Sequence, residues 1–495
     1  MSNSVNIIGA GPGGLATAML LAAKGMSVRI FERLSGPGGR TQCFGEKGYR
    51  FDLGPTFFLY PQILKEIYQT AGFDLDKEVP MARLDPQYRI LFGSGGKLDA
   101  TPNLELMAQR IGEISAQDAP GFARFIEENR AKLTAFEPFL ETPYLNWKDL
   151  LDPRAIKVAP FLRPHQSVDD YLKRFFADPR IRLAFSFQSK YLGMSPFKCP
   201  SLFSILSFLE YEHGVFHPIG GCGAVSENMA DRVKDLGGEI FYNAEVEQIH
   251  FEGRRASGVV VDGKVHKADS LVINADFARA MTKLVPNHLR SRWTDEKIAK
   301  KRFSCSTFML YLGVEGQFDL PHHNIFISGD YERNLREIED LHQLSADPSV
   351  YIQNACVTDP GMAPEGHSTL YILAPVTHKT DSLNWSQEAP AFRDKVLQQI
   401  SKIGFGDIEG RIRYERTVTP DDWENGYEIY KGATFNLAHN LGQMLHFRPG
   451  NRFQDLEGVY LTGGGTHPGS GLPVIFESAK ITSRLLIQDM GLHAA

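Results

Sequence analysis

The rhythm of apolar and polar positions changes several times along these 495 residues. Val5-Asn6-Ile7-Ile8 is a short apolar run that reads as a buried strand, and it enters Gly9-Ala10-Gly11-Pro12-Gly13-Gly14. Positions 15–24 read as a helix of small and apolar residues, and Gly25 stands where a left-handed C-cap belongs. Positions 26–31 alternate as a second strand, with Glu32 at its end, 18 residues after Gly14. In the middle of the chain, 224–236 reads as a helix and 239–242 and 244–251 as strands. Near the far end, a strand at 459–461 enters a second glycine-rich run, from Thr462 to Pro473, and a helix is predicted over 474–487.

The first junction carries chemistry. Gly9, Gly11 and Gly14 match GxGxxG between a strand and a helix. Gly9 allows the tight turn, Gly11 lets a pyrophosphate approach the backbone, and Gly14 lets the helix pack close to the strand, with Ala10 and Gly13 lying between. A helix N-terminus offers unpaired N–H groups and a positive dipole end to phosphates. Glu32, followed by Arg33, can accept from ribose hydroxyls and would repel a 2′-phosphate, so NADP is disfavoured.

Composition narrows the picture a little. Net charge is -6, which gives no overall attraction to nucleic acid. Five scattered cysteines without a CxxC pair suggest no metal site and no disulfide framework, hence a reducing compartment. Neither a leader peptide nor a membrane span is expected, since the apolar stretch 5–23 is broken by glycines and Pro12. The aromatic content is skewed, with 33 Phe against 17 Tyr and 4 Trp. A large Phe-rich core explains this as well as a pocket for a wholly apolar ligand does.

Gly38-Gly39-Arg40 and Phe51-Asp52-Leu53-Gly54-Pro55-Thr56 follow the acidic residue. Here the chain resembles the flavoproteins that include amine oxidases, phytoene desaturases and Rab escort proteins. The resemblance implies FAD rather than NAD, with Gly39 and Arg40 near the pyrophosphate, Gly54, Pro55 and Thr56 beside the flavin, and the Val246 backbone near the adenine. The run Gly463-Gly464-Gly465-Thr466-His467-Pro468-Gly469-Ser470-Gly471-Leu472-Pro473 is similar to the C-terminal signature of carotenoid desaturases. It implies flavin contacts from Gly464, Gly465, Leu472, Pro473 and Val474. Two departures stand out. Bacterial phytoene desaturases usually carry Phe-Pro-Arg before the central glycine pair, and here Phe216 is followed by His217, Pro218 and Ile219, so the arginine is absent. Val474 stands where a small residue is common. Both are expected near the flavin or the pocket.

The fold class expected is α/β: a two-domain, Rossmann-type FAD-binding flavoprotein of the amine oxidase and phytoene desaturase kind, with a mixed α+β substrate domain. Residues 1–96, 213–302 and 440–495 are assigned to a discontinuous FAD domain, and 97–212 and 303–439 to the substrate domain. The resemblance implies desaturation of a phytoene-like or dehydrosqualene-like hydrocarbon by noncovalently held FAD, since no cysteine follows Cys356. Its partners would be an apolar polyene, a membrane surface and an electron acceptor such as oxygen or a quinone. The protein would be cytoplasmic and peripherally membrane-associated, with the basic, apolar segment 147–176 (Leu150, Leu151, Ile156, Val158, Phe161 and Leu162 among lysines and arginines) facing lipid or packing as a cap. A carotenoid oxidase or ketolase, an isomerase or saturase, and a noncatalytic prenyl-binding escort share these motifs in whole or part. For the proton that desaturation releases, His467, Asp149 and Arg154 are the acceptors considered, with His467 alternatively holding its own loop in shape and direct loss to water or flavin needing no side chain.

Overall fold

The computed structural model describes residues 3–492 except 159 and 162. Five parallel strands form the nucleotide-binding sheet, in the order Glu239–Phe241, Ser27–Phe31, Ser4–Ile8, Ser270–Ile273 and Val459–Leu461. Strands from the start, middle and end of the chain therefore lie side by side. The Pro12–Ala22 helix has no polar face, and every residue from Gly13 to Ala22 is buried. It packs against the Leu472–Asp489 and Cys222–Asp235 helices, which cover it from outside. A three-stranded antiparallel sheet (Gln248–Glu252, Arg255–Val261, Lys264–Lys267) flanks this unit.

The second large sheet has seven strands. Their order is Ile412–Val418, Ser306–Glu315, His367–Val376, Val350–Asn354, His323–Ile327, Tyr88–Phe92 and Lys97–Ala100. Only the pair His323–Ile327 and Tyr88–Phe92 is parallel. The alternation of side chains sorts its two faces. Phe308, Leu310, Ile352, Leu370 and Ile372 pack on Trp385, Phe392 and Val396 of the Trp385–Ile400 helix. Met309, Tyr311, Tyr351, Tyr371 and Leu373 face the other way and pack with Tyr49, Phe51 and Leu53, while a cap that includes the Ala119–Leu140 and Ile205–His213 helices packs on Tyr88, Ile90 and Ile325.

Two expectations shift. Tyr88–Phe92 hydrogen-bonds within the seven-stranded sheet, and its hairpin partner is Lys97–Ala100. A seam at 96/97 would cut that hairpin, so the chain changes sheets ahead of Tyr88. Segment 147–176 is also two things. Val168, Tyr171, Leu172, Phe175 and Phe176 are buried in the core that the cap shares with the seven-stranded sheet, whereas Trp147, Leu151 and Ile156 are 60%, 70% and 78% exposed. Leu162, named with that segment, lies outside the described residues. Among the described residues no helix is long and apolar enough to cross a membrane.

Candidate functional site

One cavity of about 620 Å³ runs between the two sheets and the cap. Both glycine-rich junctions open into it. Gly9, Gly11 and Gly13 line it from one side, and Pro468 through Val474 from another. The Pro12–Ala22 and Leu472–Asp489 helices both begin at the cavity, on Gly11 and Gly471, and neither N-terminus has a side-chain cap. Their first N–H groups are therefore left for another acceptor. At Gly14 a Cβ would stand 2.4 Å from the Gly9 carbonyl oxygen, so the helix can approach the strand only with glycine there. Gly9 itself has φ +96°, in the region that favours glycine.

Glu32 sits at the cavity wall, and among the described residues no cation forms an ion pair with it. Its Oε2 accepts from the Ala10 N–H at 2.7 Å and its Oε1 from the Leu34 N–H at 2.8 Å. Burial pushes its carboxyl above the ordinary value, against the pull of those backbone donors. Arg40 is half-buried, its Nη1 donating to the Thr434 carbonyl at 2.6 Å. The Asn436 amide, oriented to satisfy both neighbours, donates to Asp276 Oδ2 at 2.5 Å and accepts from Arg40 Nη2 at 3.0 Å. Arg33, Gly39, Arg40, Val246, Asp276 and Lys283 complete this end of the cavity.

The Gly54-Pro55-Thr56 segment lies across the polar face of the seven-stranded sheet and is pinned to it. Tyr311 Oη donates to the Leu53 carbonyl at 2.5 Å and Tyr371 Oη to the Gly54 carbonyl at 2.7 Å. The hydroxyls of Tyr351 and Thr56 meet at 2.6 Å, and Gln353 donates to the Thr56 carbonyl at 3.3 Å. Beyond it the walls become apolar, with Phe57, Phe136, Phe187, Phe203, Leu206 and Ile325 among them. The phenylalanine surplus thus serves both a core (Phe122, Phe125, Phe176, Phe185) and a cavity wall.

Of the residues expected at the site, Ala10, Gly14 and Gly465 do not line the cavity. Ala10 contributes the N–H that holds Glu32, Gly14 the close helix–strand contact, and Gly465 packs on Phe277, where a Cβ would meet the side chain at 2.7 Å. His467 is in the loop but turned away. Its Nε2 donates to the Thr142 carbonyl at 3.0 Å, its ring packs edge-on against Tyr144, and burial with nearby Arg448 holds it neutral, pushed down to about 3. It therefore ties the loop to the cap rather than to itself. Asp149 accepts from the Leu145 and Asn146 N–H groups, and Arg154 pairs with Asp152; neither lines the cavity. Of the two departures, Val474 lines the cavity, but Ile219, the residue before Gly220, is 43% exposed and does not.

Sequence reasoning missed Arg448. Its fully buried guanidinium donates to the Thr466 carbonyl at 3.1 Å, the Gly464 carbonyl at 2.7 Å and the Leu437 carbonyl at 3.4 Å, so it holds the C-terminal loop from behind. It lies outside any glycine motif, and only the tertiary fold shows what it touches.

A parallel sheet with two uncapped helix N-termini at its carboxyl edge, a half-buried arginine and a buried acid defines a dinucleotide-binding flavoprotein oxidoreductase. Residues 12–487 match the model of the flavin containing amine oxidoreductases, and the chain belongs to that family. It is 40% identical to a 4,4'-diapophytoene desaturase (4,4'-diapolycopene-forming) of Methylomonas sp, over 99% of this chain and 96% of that protein. It is 35% identical to a lycopene-forming phytoene desaturase of Pseudescherichia vulneris, over 98% and 99%. Its fold is shared with an oxidoreductase from Methanosarcina mazei at a TM-score of 0.64 and 18% identity, covering 97% of this chain and 99% of the other. The cofactor is FAD, and the donor set fits it: free helix N–H groups and Arg40 for a diphosphate, an acid for ribose hydroxyls.

Proposed function

We propose that the protein is an FAD-dependent desaturase of a long isoprenoid hydrocarbon in carotenoid biosynthesis. The observation that carries this is the single cavity that joins both glycine loops to a wall of phenyl and aliphatic side chains. Bound flavin supplies a hydride acceptor. On this reading Glu32 accepts from the ribose, and Gly11, Gly13, Gly39 and Arg40 hold the diphosphate. Val246 and Lys283 flank the adenine, and Gly54–Thr56 with Gly464, Leu472, Pro473 and Val474 surround the isoalloxazine. The apolar walls exclude water and align a CH2–CH2 unit that has no heteroatom by which to be held.

Loading from a bilayer is part of the proposal. The exposed Trp147, Leu151 and Ile156 lie on the outer side of a small core that includes Phe136, Phe139, Tyr144 and Val158. Phe136 also lines the cavity. Phe447, 48% exposed, stands on the neighbouring turn, and Lys148 and Lys157 flank the patch with positive charge. An apolar patch with a basic rim beside the cavity suits the headgroup zone of an anionic membrane. Replacing Trp147 and Ile156 with Ser should reduce co-sedimentation with liposomes and leave flavin content intact; equal sedimentation would return the patch to a packing role.

Expression in cells that make phytoene, or separately dehydrosqualene, tests the reaction. The expected result is a longer chromophore from one of them, which fixes the chain length. If only an already conjugated carotene changes, by gaining oxygen or shifting geometry, the oxidase or isomerase branch is right.

A further inference from the structure

Glu210 is a carboxyl sealed inside the protein, and among the described residues no cation pairs with it. It stands on the Ile205–His213 helix, 0% exposed, and three neutral donors meet it. Tyr191 Oη donates to Oε1 at 2.8 Å, while Tyr88 Oη and Gln188 Nε2 donate to Oε2, each at 2.9 Å. Tyr211, 3.2 Å from the Tyr88 hydroxyl, and Tyr351, near Tyr191, are further titratable groups facing this cluster. The charges next along the helix are engaged elsewhere: Glu212 pairs with Arg130, and His213 packs on Tyr60. Burying a carboxylate without a counter-ion is costly, and a glutamine of the same shape would avoid that cost. Burial accordingly pushes Glu210 up to about 7, with the three hydrogen bonds opposing the rise. Both protonation states are then accessible near neutral pH.

Tyr191 connects this carboxyl to the cavity. It lines the wall, and its ring packs edge-on against Phe57 at 5.4 Å, next to Thr56 in the segment assigned to the flavin. Tyr351 offers a second hydroxyl there and reaches His323 Nδ1 at 2.7 Å. Burial, with His217 nearby, holds His323 down to about 3, so it does not retain a proton near neutral pH. His467, Asp149 and Arg154 do not reach the cavity.

We propose that the proton lost in desaturation is accepted at Tyr191 and held on Glu210. Tyr191 is the catalytic residue at the wall, and Glu210 is the positioning residue that makes its oxygen basic. The inference rests on the desaturase reading. One C–H bond of the CH2–CH2 unit breaks with its electron pair leaving as hydride to the flavin, the two-electron oxidant. The C–H bond on the adjacent carbon then breaks, and its pair becomes the new C=C bond. That proton lands on the Tyr191 oxygen as the phenolic proton crosses to the Glu210 carboxylate. It leaves when the electron acceptor takes up two electrons and two protons. A polyene cation is so strong an acid that a neutral phenol backed by a carboxylate suffices.

The test compares flavin-loaded wild type, Glu210→Gln and Tyr191→Phe with phytoene or dehydrosqualene in liposomes. Either variant should lower kcat roughly 100-fold with KM and flavin content unchanged, and the double variant should lose no more, because the two act in series. Wild-type kcat should fall as pH drops below about 7, and this limb should vanish in Glu210→Gln. Infrared spectra of the protein without substrate should show a protonated carboxyl band that grows in over the same range and is missing from Glu210→Gln. A Glu210→Gln enzyme with wild-type kcat, or with the same acid limb, overturns the proposal and leaves the desaturase reading standing. A wild type inactive on every polyene removes that reading and the proposal with it, while the infrared titration still reports the carboxyl.

Discussion

The two glycine-rich junctions look alike as strand–loop–helix units, but they are held by opposite means. The N-terminal one is local. Gly9 N–H donates to the Phe31 carbonyl and Gly38 N–H to the Ala10 carbonyl, both at 2.8 Å, while Glu32 holds Ala10. Most of these bonds lie within its first strands and turn; from further along the chain, Asn274 donates to the Gly9 carbonyl at 3.2 Å, and the Glu32 backbone pairs with Phe241 and Ala244. The C-terminal loop has one turn bond of its own, Thr466 N–H to the Gly463 carbonyl at 3.0 Å, and leans on distant groups for the rest. Arg448 holds its carbonyls from behind, Asn451 donates to the Leu461 and His467 carbonyls, and Thr142 of the cap holds His467. A loop fixed by its own backbone leaves a motif with definite spacing, whereas a loop fixed by distant side chains depends on the whole fold.

The largest effect should come from removing the outside support. Arg448→Met keeps much of the volume but leaves several buried carbonyls without a donor. Each such loss costs about 1–3 kcal/mol, so a destabilisation on the order of 3–5 kcal/mol is expected, together with loss of flavin. Thermal unfolding and the visible flavin spectrum measure both. A variant that unfolds like wild type and stays yellow would mean that the C-terminal loop is as self-sufficient as the N-terminal one.

The same contrast explains what could be read from the chain. The strand at 5–8, the buried helix, Gly25, Glu32 and the two junctions were legible because backbone geometry forces residue types at fixed spacing. The seven-stranded sheet was not, because its strands pair across long separations and Tyr88–Phe92 carries no mark of its partner. Spacing alone did not decide among the proton-acceptor candidates, for a related reason. His467 was conspicuous beside the glycines, but a loop that borrows support turns its histidine outward to the cap. Tyr88, Gln188, Tyr191 and Glu210 meet from distant points on the chain, and no periodicity links them.

Glu32→Gln probes the self-contained junction and should act more gently. A glutamine has one acceptor oxygen for the two N–H groups of Ala10 and Leu34, so one backbone donor is left unmet. Loss of the carboxylate also weakens hydrogen bonds to the ribose, by about 1.5–3 kcal/mol on the proposed reading, or roughly 10–150-fold in FAD affinity. Titration of the apoprotein with FAD measures this. The unfolding midpoint should move less than in Arg448→Met, because the junction keeps its backbone bonds; unchanged affinity would put the adenosine elsewhere.

The smallest effect concerns the tie between the C-terminal loop and the cap. His467 is held neutral, at about 3 against an ordinary 6.5. Below pH 6.5 the unfolded chain therefore takes up a proton that the fold refuses, and stability is lost as pH falls from 6.5 toward 3. His323, at about 3, and His378, at about 4, contribute to the same acid slope. Glu210 works in the opposite sense, since its raised value favours the fold below 4.5 and loses that contribution as pH climbs through about 7. His467→Gln keeps a donor for the Thr142 carbonyl and removes one titrating group. Its melting temperature should fall less steeply than that of wild type between pH 7 and pH 5, and its kcat should retain the wild-type acid limb near 7. Disappearance of that limb in His467→Gln would make this histidine the proton acceptor after all, reached by a loop that swings inward.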